Sequence, residues 1–206
     1  MKIMNMEYVV FDVETTGLSP VDGDRIIELA AARVRRGVVV DRYTTFVNPR
    51  RPLNPEAEKL NHISQDMVKD APTSDEILPR FIEFAGSSCL VAHNASFDIK
   101  FVSFELALAG RKLQETIPVL DTIKMSRSFL PHLTSQRLEY IAHSLGVAVG
   151  TTHRAMADVE ILVSVMVRLF GLAPDYNVLT FQDLVSRFGV EKPSFRVRGA
   201  TQPSLF

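Results

Sequence analysis

The stretch Phe11-Asp12-Val13-Glu14-Thr15-Thr16-Gly17-Leu18 places two carboxylates one residue apart, at the end of an apolar run that begins at Tyr8. A run rich in valine and aromatic residues predicts a β-strand. Alternate side chains of a strand leave on the same face, so Asp12 and Glu14 would project together. Two adjacent anions cost free energy unless a cation neutralises them, and carboxylate oxygens suit Mg²⁺ or Mn²⁺. Taken alone, the pair favours a plainer interpretation, a solvated strand end followed by a turn.

The composition suits one domain with an appendage. The chain has 206 residues, of which 46% are hydrophobic, and a formal net charge of −1. Because there is no overall positive charge, a nucleic-acid partner would have to be held locally. The single cysteine, Cys89, lies in an apolar stretch and is expected to be a buried thiol. No apolar run reaches membrane-spanning length and no signal peptide is expected, so we predict a cytoplasmic protein without membrane contact.

The hydrophobic pattern predicts strands first and then alternating helices and strands. The predicted strands are residues 7–13, 26–36, 38–47, 89–93 and 117–120. Asn54 and Thr73 are predicted to cap helices, since each precedes a helical start signal. This order of elements predicts an α/β fold in which helices flank a mixed β-sheet.

Two of the later helices have distinctive apolar patterns. The helix that starts near Ser96 carries a predicted buried stripe of Phe97, Phe101, Phe104 and Leu108. The helix from about Ala155 to Phe170 is apolar almost all round and is therefore expected at the centre of the fold.

The chain is predicted to divide into three parts. Residues 1–172 form the main domain, residues 173–190 contain a C-terminal amphipathic helix, and residues 191–206 form a flexible tail. The helix is indicated by an apolar face of Phe181, Leu184, Val185 and Phe188.

Two further segments place an aspartate near a predicted helix N-terminus, where the helix dipole favours an anion. The first is His93-Asn94-Ala95-Ser96-Phe97-Asp98, and the second is His153-Arg154-Ala155-Met156-Ala157-Asp158. Each segment alone is explained by dipole compensation and capping. Together with Asp12 and Glu14 they supply four carboxylates and a histidine, and this combination favours a functional interpretation.

In this order, the three segments resemble the three motifs of the DEDD exonuclease superfamily. The last has the form H-x-x-x-x-D, which is typical of the histidine subgroup, and the sequence is similar to the proofreading exonuclease subunits of bacterial DNA polymerase III. The resemblance covers about residues 6–170 and includes the stretch from Asn54 to Ile63. It implies an RNase H-like fold and 3′→5′ removal of nucleotides. The first hypothesis is a DNA exonuclease in proofreading or repair, which Thr15 and Thr16 in the first motif favour over an RNA-trimming enzyme.

The chemistry of the residues agrees with this resemblance. Four carboxylates carry about four negative charges, which two divalent cations, Mg²⁺ or Mn²⁺, would balance. We assign the metal-ligand role to four residues: Asp12, Glu14, Asp98 and Asp158. His153 is assigned as the general base, because an unperturbed histidine has a pKa of about 6.5 and can take a proton at neutral pH.

The resemblance also implies the residues that contact the substrate. The backbone of Thr15, Thr16 and Gly17 would run along the terminal nucleotide, and Leu18 would lie beside its base. His62 and Asn94 would line the same pocket. Contacts of this kind give weak sequence preference, as expected of a protein that binds a single-stranded or frayed 3′ end.

The C-terminal residues Gln202-Pro203-Ser204-Leu205-Phe206 resemble the Q-x-x-L-F peptide by which bacterial replication and repair proteins bind the sliding clamp. In this interpretation Leu205 and Phe206 enter an apolar pocket and Gln202 hydrogen-bonds at its rim. Such a tether raises the effective concentration at DNA without adding positive charge. The alternatives are a contact with a DNA polymerase and a chance match.

Two other functions remain open at this point. RNA-trimming exonucleases such as RNase T and oligoribonuclease share the same five catalytic residue types, so the substrate could be RNA. A non-enzymatic scaffold that associates with the clamp is the third hypothesis. The retention of all four carboxylates and of His153 argues against the scaffold.

Overall fold

The computed structural model describes residues 2–150 and 154–195, and its centre is a five-stranded sheet with the order β3-β2-β1-β4-β5. The strands are β1 (Glu7–Thr15), β2 (Ile26–Arg35), β3 (Val38–Phe46), β4 (Cys89–Ala92) and β5 (Val119–Asp121). The first three strands pair antiparallel, whereas β4 and β5 run parallel to β1. The predicted mixed sheet is confirmed, and every strand begins and ends within two residues of its predicted bounds.

Helices cover both faces of this sheet, which confirms the predicted α/β architecture. They are α1 (Pro55–Asn61), α2 (Gln65–Val68), α3 (Ser74–Ala85), α4 (Ala95–Leu108), α5 (Thr122–Phe129), α6 (Leu138–Ser144), α7 (Ala155–Leu172) and α8 (Phe181–Phe188). One hydrophobic core lies between the sheet and α3 and α4. The other lies between the sheet and the helices α5 to α8.

The central strand β1 contributes side chains to both cores in strict alternation. Tyr8 and Val10 belong to the core beneath α7, and Val9, Phe11 and Val13 belong to the core beneath α4. The carboxylates that follow at even-numbered positions are in phase with Tyr8 and Val10. The alternation therefore directs the acids of β1 toward the α7 side.

The helix N-termini follow the local signals in the sequence. The Asn54 side chain accepts a hydrogen bond from the backbone N–H of Glu56 (3.0 Å), which satisfies a donor that the first turn of α1 leaves unpaired. At α3, the backbone N–H of Thr73 donates to Glu76 Oε2 (2.8 Å). Both predicted caps are confirmed, and Asp121 caps α5 in the same way through Ile123 N–H (2.8 Å).

The predicted stripe on α4 is only partly buried. Phe101 is fully buried, but Phe97 and Phe104 are half-buried and Leu108 is 37% exposed. Several sides of α4 carry apolar residues, so the pattern alone does not select one stripe. Packing against the sheet and α3 selects the side formed by Ile99, Val102 and Leu106.

The segment after α8 lies against the start of β5. Gly189 forms an isolated bridge with Leu120, and Val190 N–H donates to the carbonyl of Val119 (2.9 Å). The ammonium of Lys192 donates to three backbone carbonyls of the preceding loop, at Gln114, Glu115 and Ile117. In the described region, Lys192, just beyond the predicted boundary at 190, is thus held against the loop that precedes β5.

Across the two described stretches, none of the helices combines the length and the apolar character needed to cross a bilayer.

A carboxylate–arginine cluster links the outer ends of β1 and β2 and makes a testable contribution to stability. Glu7 accepts hydrogen bonds from Arg33 (2.7 Å), Arg35 and Ser88 (2.9 Å). Burial raises the pKa of Glu7, but these hydrogen bonds outweigh burial and bring the pKa from 4.5 down to about 2. Since the folded state holds this carboxylate ionised, its stabilisation is present above pH ~4.5 and is lost as the pH falls toward ~2.

Glu7→Gln is expected to lower the free energy of unfolding at pH 7 by about 2 kcal/mol, because the amide cannot accept the two charged donors as a carboxylate does. Urea unfolding at pH 7 and at a series of lower pH values measures this. The difference between wild type and variant should shrink between pH ~4.5 and ~2. A difference that is independent of pH would contradict the assignment of the effect to the carboxylate.

Candidate active site

Three of the predicted carboxylates meet at the end of β1. Asp12 and Glu14 leave β1 on the side of α7, and Asp158 lies in the first turn of α7. One carboxylate oxygen from each of the three residues lies within 4.8 Å of the other two. Contacts of α7 with β1 and β2 produce this meeting of residues that are far apart in sequence.

The fourth predicted carboxylate, Asp98, approaches from the opposite helix layer. It lies in the first turn of α4, and its Oδ1 accepts a hydrogen bond from the backbone N–H of Val13 (3.2 Å). A cavity of about 220 Å³ is lined by all four acids. The structure therefore brings the four predicted ligands to one place.

Three of the four carboxylates have raised pKa values. Burial and the neighbouring charges of Asp158 and Glu28 raise the pKa of Asp12 to about 7. Burial and the charges of Asp12, Asp158 and Glu28 raise the pKa of Glu14 to about 8, although the charge of Arg154 acts in the opposite direction. Burial and then the charge of Asp12 also raise the pKa of Asp98 well above its ordinary value.

This donor set fits divalent metal ions. A nearby cation stabilises the ionised form of a carboxylate, and this stabilisation is largest where clustered carboxylates have raised pKa values. Their ligand atoms are all oxygens, which suit hard cations such as Mg²⁺ and Mn²⁺.

The predicted general base, His153, lies outside the described residues, so its role stays a prediction. The structure describes the residues that follow it: Arg154 is the N-cap residue of α7, and Asp158 lies in the first turn of that helix.

A second cavity, of about 420 Å³, adjoins the carboxylates. Its lining includes four residues predicted to contact the substrate, which are Thr15, Thr16, Gly17 and Leu18. The Leu18 side chain is 81% exposed, so it is not part of a core and is free to contact a ligand. Val13, Glu14 and Phe97 line both this cavity and the smaller one. A nucleotide in the larger cavity would therefore reach the carboxylates.

The turn that forms this cavity is held by Asp24. Asp24 accepts hydrogen bonds from the Thr16 hydroxyl (3.0 Å) and from the backbone N–H of Ser19 (3.0 Å). A Cβ atom on Gly17 would lie 2.4 Å from the Asp24 carboxylate. Glycine is required at this position because the carboxylate occupies the space of a side chain.

The structure places His62 and Asn94 differently from the other predicted substrate residues. His62 is exposed at the C-terminal end of α1 with a φ of 55°, whereas the neighbouring Asn61 lines the larger cavity and donates from Nδ2 to the carbonyl of Thr15 (3.0 Å). Asn94 is exposed at the start of α4 with a φ of 62°. Its backbone N–H donates to Asp121 Oδ1 (3.2 Å), which joins the ends of β4 and β5.

Three residues at the site lie outside the set of site residues that the motifs predict. Asn61 lines the larger cavity, whereas the resemblance implies its neighbour His62. Phe97 lines both cavities, whereas the apolar pattern predicts it in a buried stripe. Glu28 belongs to an apolar strand and faces Glu14 across the β1–β2 pair. The sequence signal for Glu28 is an acid inside the apolar run that begins at Ile26, because a buried acid is rare without a partner.

Comparison with known proteins identifies the family. A family model for exonucleases matches residues 9–166 of the chain. The chain belongs to the exonuclease family. The predicted resemblance to DEDD 3′→5′ exonucleases is confirmed, and divalent metal ions are the cofactors of this family.

Relatives of this exonuclease domain are found among DNA polymerases. It is 41% identical over 160 residues to the DNA polymerase III PolC-type of Clostridium perfringens, covering 78% of this chain and 11% of that protein. It is 37% identical over 184 residues to the Bacillus subtilis PolC-type protein, covering 88% of this chain and 13% of the relative. The chain thus spans only about an eighth of the length of these relatives.

Solved structures confirm the fold of the exonuclease domain. Exonuclease X in complex with 5′ overhanging duplex DNA superposes with a TM-score of 0.68 at 24% identity, covering 87% of this chain and 98% of that one. A 3′-exonuclease that recognises the histone mRNA stem-loop superposes with a TM-score of 0.73 at 18% identity, covering 86% and 66%. The predicted RNase H-like fold is therefore shared by enzymes with different nucleic-acid partners.

Proposed function

We propose that this protein is a 3′→5′ DNA exonuclease that releases nucleoside monophosphates and acts in replication proofreading or DNA repair. The observation that carries the proposal is the meeting of the Asp12, Glu14 and Asp158 carboxylates within 4.8 Å, beside a cavity large enough for a nucleotide. Membership of the exonuclease family supports the same reaction.

In this proposal the acids and the larger cavity have separate tasks. Asp12, Glu14, Asp98 and Asp158 would hold two divalent cations, Mg²⁺ or Mn²⁺. When bound, such ions offset the charge on phosphoryl oxygens and lower the pKa of water. The turn from Thr15 to Leu18 would hold the terminal nucleotide, with its scissile phosphodiester directed toward the carboxylates.

The two apolar side chains at the cavity would contact the terminal base. Leu18 is exposed and Phe97 is half-buried at the boundary of the two cavities. A base can stack on an aromatic ring whatever its identity, so this arrangement favours removal of any terminal nucleotide. Asn61 would keep the turn in place through its hydrogen bond to Thr15.

The similarity to PolC-type DNA polymerase III supports DNA as the substrate and a DNA polymerase as a functional partner. RNA is the alternative, because one solved relative of the same fold recognises the end of a histone mRNA. The two substrates differ at the 2′-hydroxyl, and a site that contacts only one or two nucleotides can accept either.

The test is turnover on matched single-stranded DNA and RNA oligonucleotides that carry a 5′ label. We expect a ladder of DNA products shortened from the 3′ end with Mg²⁺ or Mn²⁺ and none with EDTA. A DNA substrate whose terminal linkages are phosphorothioates serves as the control for polarity and should resist shortening. Faster trimming of RNA would assign the protein to RNA processing, and a lack of turnover on both substrates would contradict the enzyme proposal.

His153→Gln is expected to lower kcat by about 10²- to 10⁴-fold, because glutamine cannot accept a proton from the attacking water. The KM for an oligonucleotide should change little, since the cavity residues are untouched. Single-turnover kinetics measure the chemical step, and fluorescence anisotropy in Ca²⁺ measures DNA binding. A variant with wild-type kcat would remove His153 from the mechanism.

The terminal residues Gln202, Leu205 and Phe206 lie outside the described residues, and we propose them as a sliding-clamp contact on their sequence alone. Deletion of residues 202–206 should weaken binding to a purified bacterial clamp, as measured by anisotropy of labelled protein. Turnover on short oligonucleotides should stay unchanged, because the deletion leaves the catalytic residues intact. Pro203→Ala is the matched control and should bind the clamp normally, while persistent binding after the deletion would contradict this contact.

A further inference from the structure

Glu28 is a buried acid beside the carboxylate cluster whose oxygens are already bonded. Its side chain is 4% exposed. Oε1 accepts from Arg154 Nη2 (3.2 Å), and Oε2 accepts from Arg154 Nε (3.3 Å) and from the backbone N–H of Ala155 (3.2 Å). Glu28 therefore binds both the guanidinium of Arg154 and the first residue of α7.

Arg154 is held on a second side by an aromatic ring. Its guanidinium carbon lies 5.3 Å from the centre of the Phe46 ring, at the end of β3. Stacking on the ring and bidentate pairing with Glu28 leave few orientations for this side chain. Arg154, the N-cap residue of α7, thus contacts β2 and β3 at the same time.

The position of residue 154 is transmitted directly to Asp158. The backbone N–H of Asp158 donates to the carbonyl of Arg154 (3.1 Å). This bond joins the N-cap residue of α7 to the acid four residues further along the chain. A movement of Arg154 would therefore displace Asp158, one of the residues on which the proposed function depends.

Glu28 also lies next to the ligands on the strand side. It faces Glu14 in the register of β1 and β2, and its negative charge acts on both Asp12 and Glu14. Within the described residues, the acids whose oxygens converge are Asp12, Glu14 and Asp158. The bonds to Arg154 and Ala155 thus keep Glu28 engaged with α7.

We propose that Glu28 is a positioning residue which, through Arg154, fixes the start of α7 so that Asp158 is aligned with Asp12 and Glu14. It does not itself bind metal. The proposal rests on the proposed function, because alignment matters only if these residues act together on a substrate. Residues that orient metal ligands commonly change metal affinity or activity by about 10- to 100-fold when they are replaced.

The test compares Glu28→Gln with Glu7→Gln. Each variant replaces a glutamate that lies in a strand and binds an arginine, Arg33 for Glu7 and Arg154 for Glu28. Glu7, however, lies at the first position of β1, away from the carboxylates. Calorimetry without substrate measures Mn²⁺ binding. Turnover of a DNA oligonucleotide gives kcat and KM, and thermal unfolding measures stability. These readouts separate loss of alignment from loss of stability.

We expect Glu28→Gln to weaken Mn²⁺ binding by about tenfold and to lower kcat by about 10- to 100-fold, with KM within about threefold of wild type. Glu7→Gln should lower the Tm yet leave Mn²⁺ binding and kcat unchanged. Arg154→Gln should reproduce the loss of kcat, and the double variant should be no worse than the more impaired single variant, since both act through one contact.

Three outcomes would overturn the proposal. Normal kcat and Mn²⁺ binding in Glu28→Gln would exclude a positioning role, and additive losses in the double variant would exclude action through Arg154. Complete loss of Mn²⁺ binding would instead make Glu28 a ligand.

If Glu28→Gln does not fold, the Arg154→Gln variant alone decides, because the Arg154 side chain is more exposed than that of Glu28. An inactive wild-type protein would contradict the proposed function, whereas an active wild type with a normal Glu28→Gln contradicts only this inference.

Discussion

Asp12→Asn is expected to abolish metal-dependent turnover and, at the same time, to raise the Tm of the metal-free protein. The amide has the shape of the carboxylate but is a poor ligand for a hard cation, so we expect kcat to fall by about 10³-fold or more. Burial and then the charge of Asp12 raise the pKa values of Glu14 and Asp98, so removing this anion relieves the part that is due to repulsion. Relief of about 1 kcal/mol corresponds to a Tm increase of roughly 2–4 °C for a chain of this size.

Thermal unfolding at pH 8 in EDTA and in Mn²⁺ measures the second effect. The wild-type Tm should rise when Mn²⁺ is added, because an ion that binds only the folded state stabilises it. The Tm of Asp12→Asn should be higher than wild type in EDTA and should respond little to Mn²⁺. Asp175→Asn, at an exposed acid, is the control and should behave as wild type, whereas a full Mn²⁺ response in Asp12→Asn would remove Asp12 from the ligand set.

Glu105→Ala is expected to cause the largest loss of stability, about 3 kcal/mol, with a fall in Tm of roughly 6–12 °C. The Glu105 side chain in α4 is 1% exposed and pairs with Arg25. Its carboxylate also accepts hydrogen bonds from the Ser74 hydroxyl (2.8 Å) and the backbone N–H of Ile26 (3.4 Å). Removing the carboxylate leaves these donors without their acceptor and leaves Arg25 without its partner.

This network joins α3, α4 and the start of β2 behind the turn that forms the larger cavity. Urea unfolding measures the loss of stability, and Glu115→Ala is the matched control because Glu115 pairs with Lys112 on the surface, where both side chains are more than 80% exposed. The control should unfold as wild type does, since exposed ion pairs contribute little. Equal stability of the two variants would show that the buried pair only offsets its own desolvation.

The sheet and the caps could be predicted from sequence because their signals are local. Alternating or continuous apolar residues identify strands, and the caps at Asn54 and Thr73 depend on residues only two or three positions apart. The prediction of the buried stripe on α4 was only partly correct, because the buried face of this helix depends on contacts that are not local. The apolar residues of α4 allow more than one buried face, and only the packing partners choose between them.

At the site, the sequence by itself determined the four acids, since the three motifs contain Asp12, Glu14, Asp98 and Asp158 at fixed spacings. Tertiary structure decided which other side chains join them. Strand register set Glu28 opposite Glu14, and helix packing gave Glu28 its contact with Arg154. The left-handed end of α1 placed Asn61 rather than His62 in the cavity lining. These relations depend on pairing between residues distant in the chain, which no local periodicity encodes.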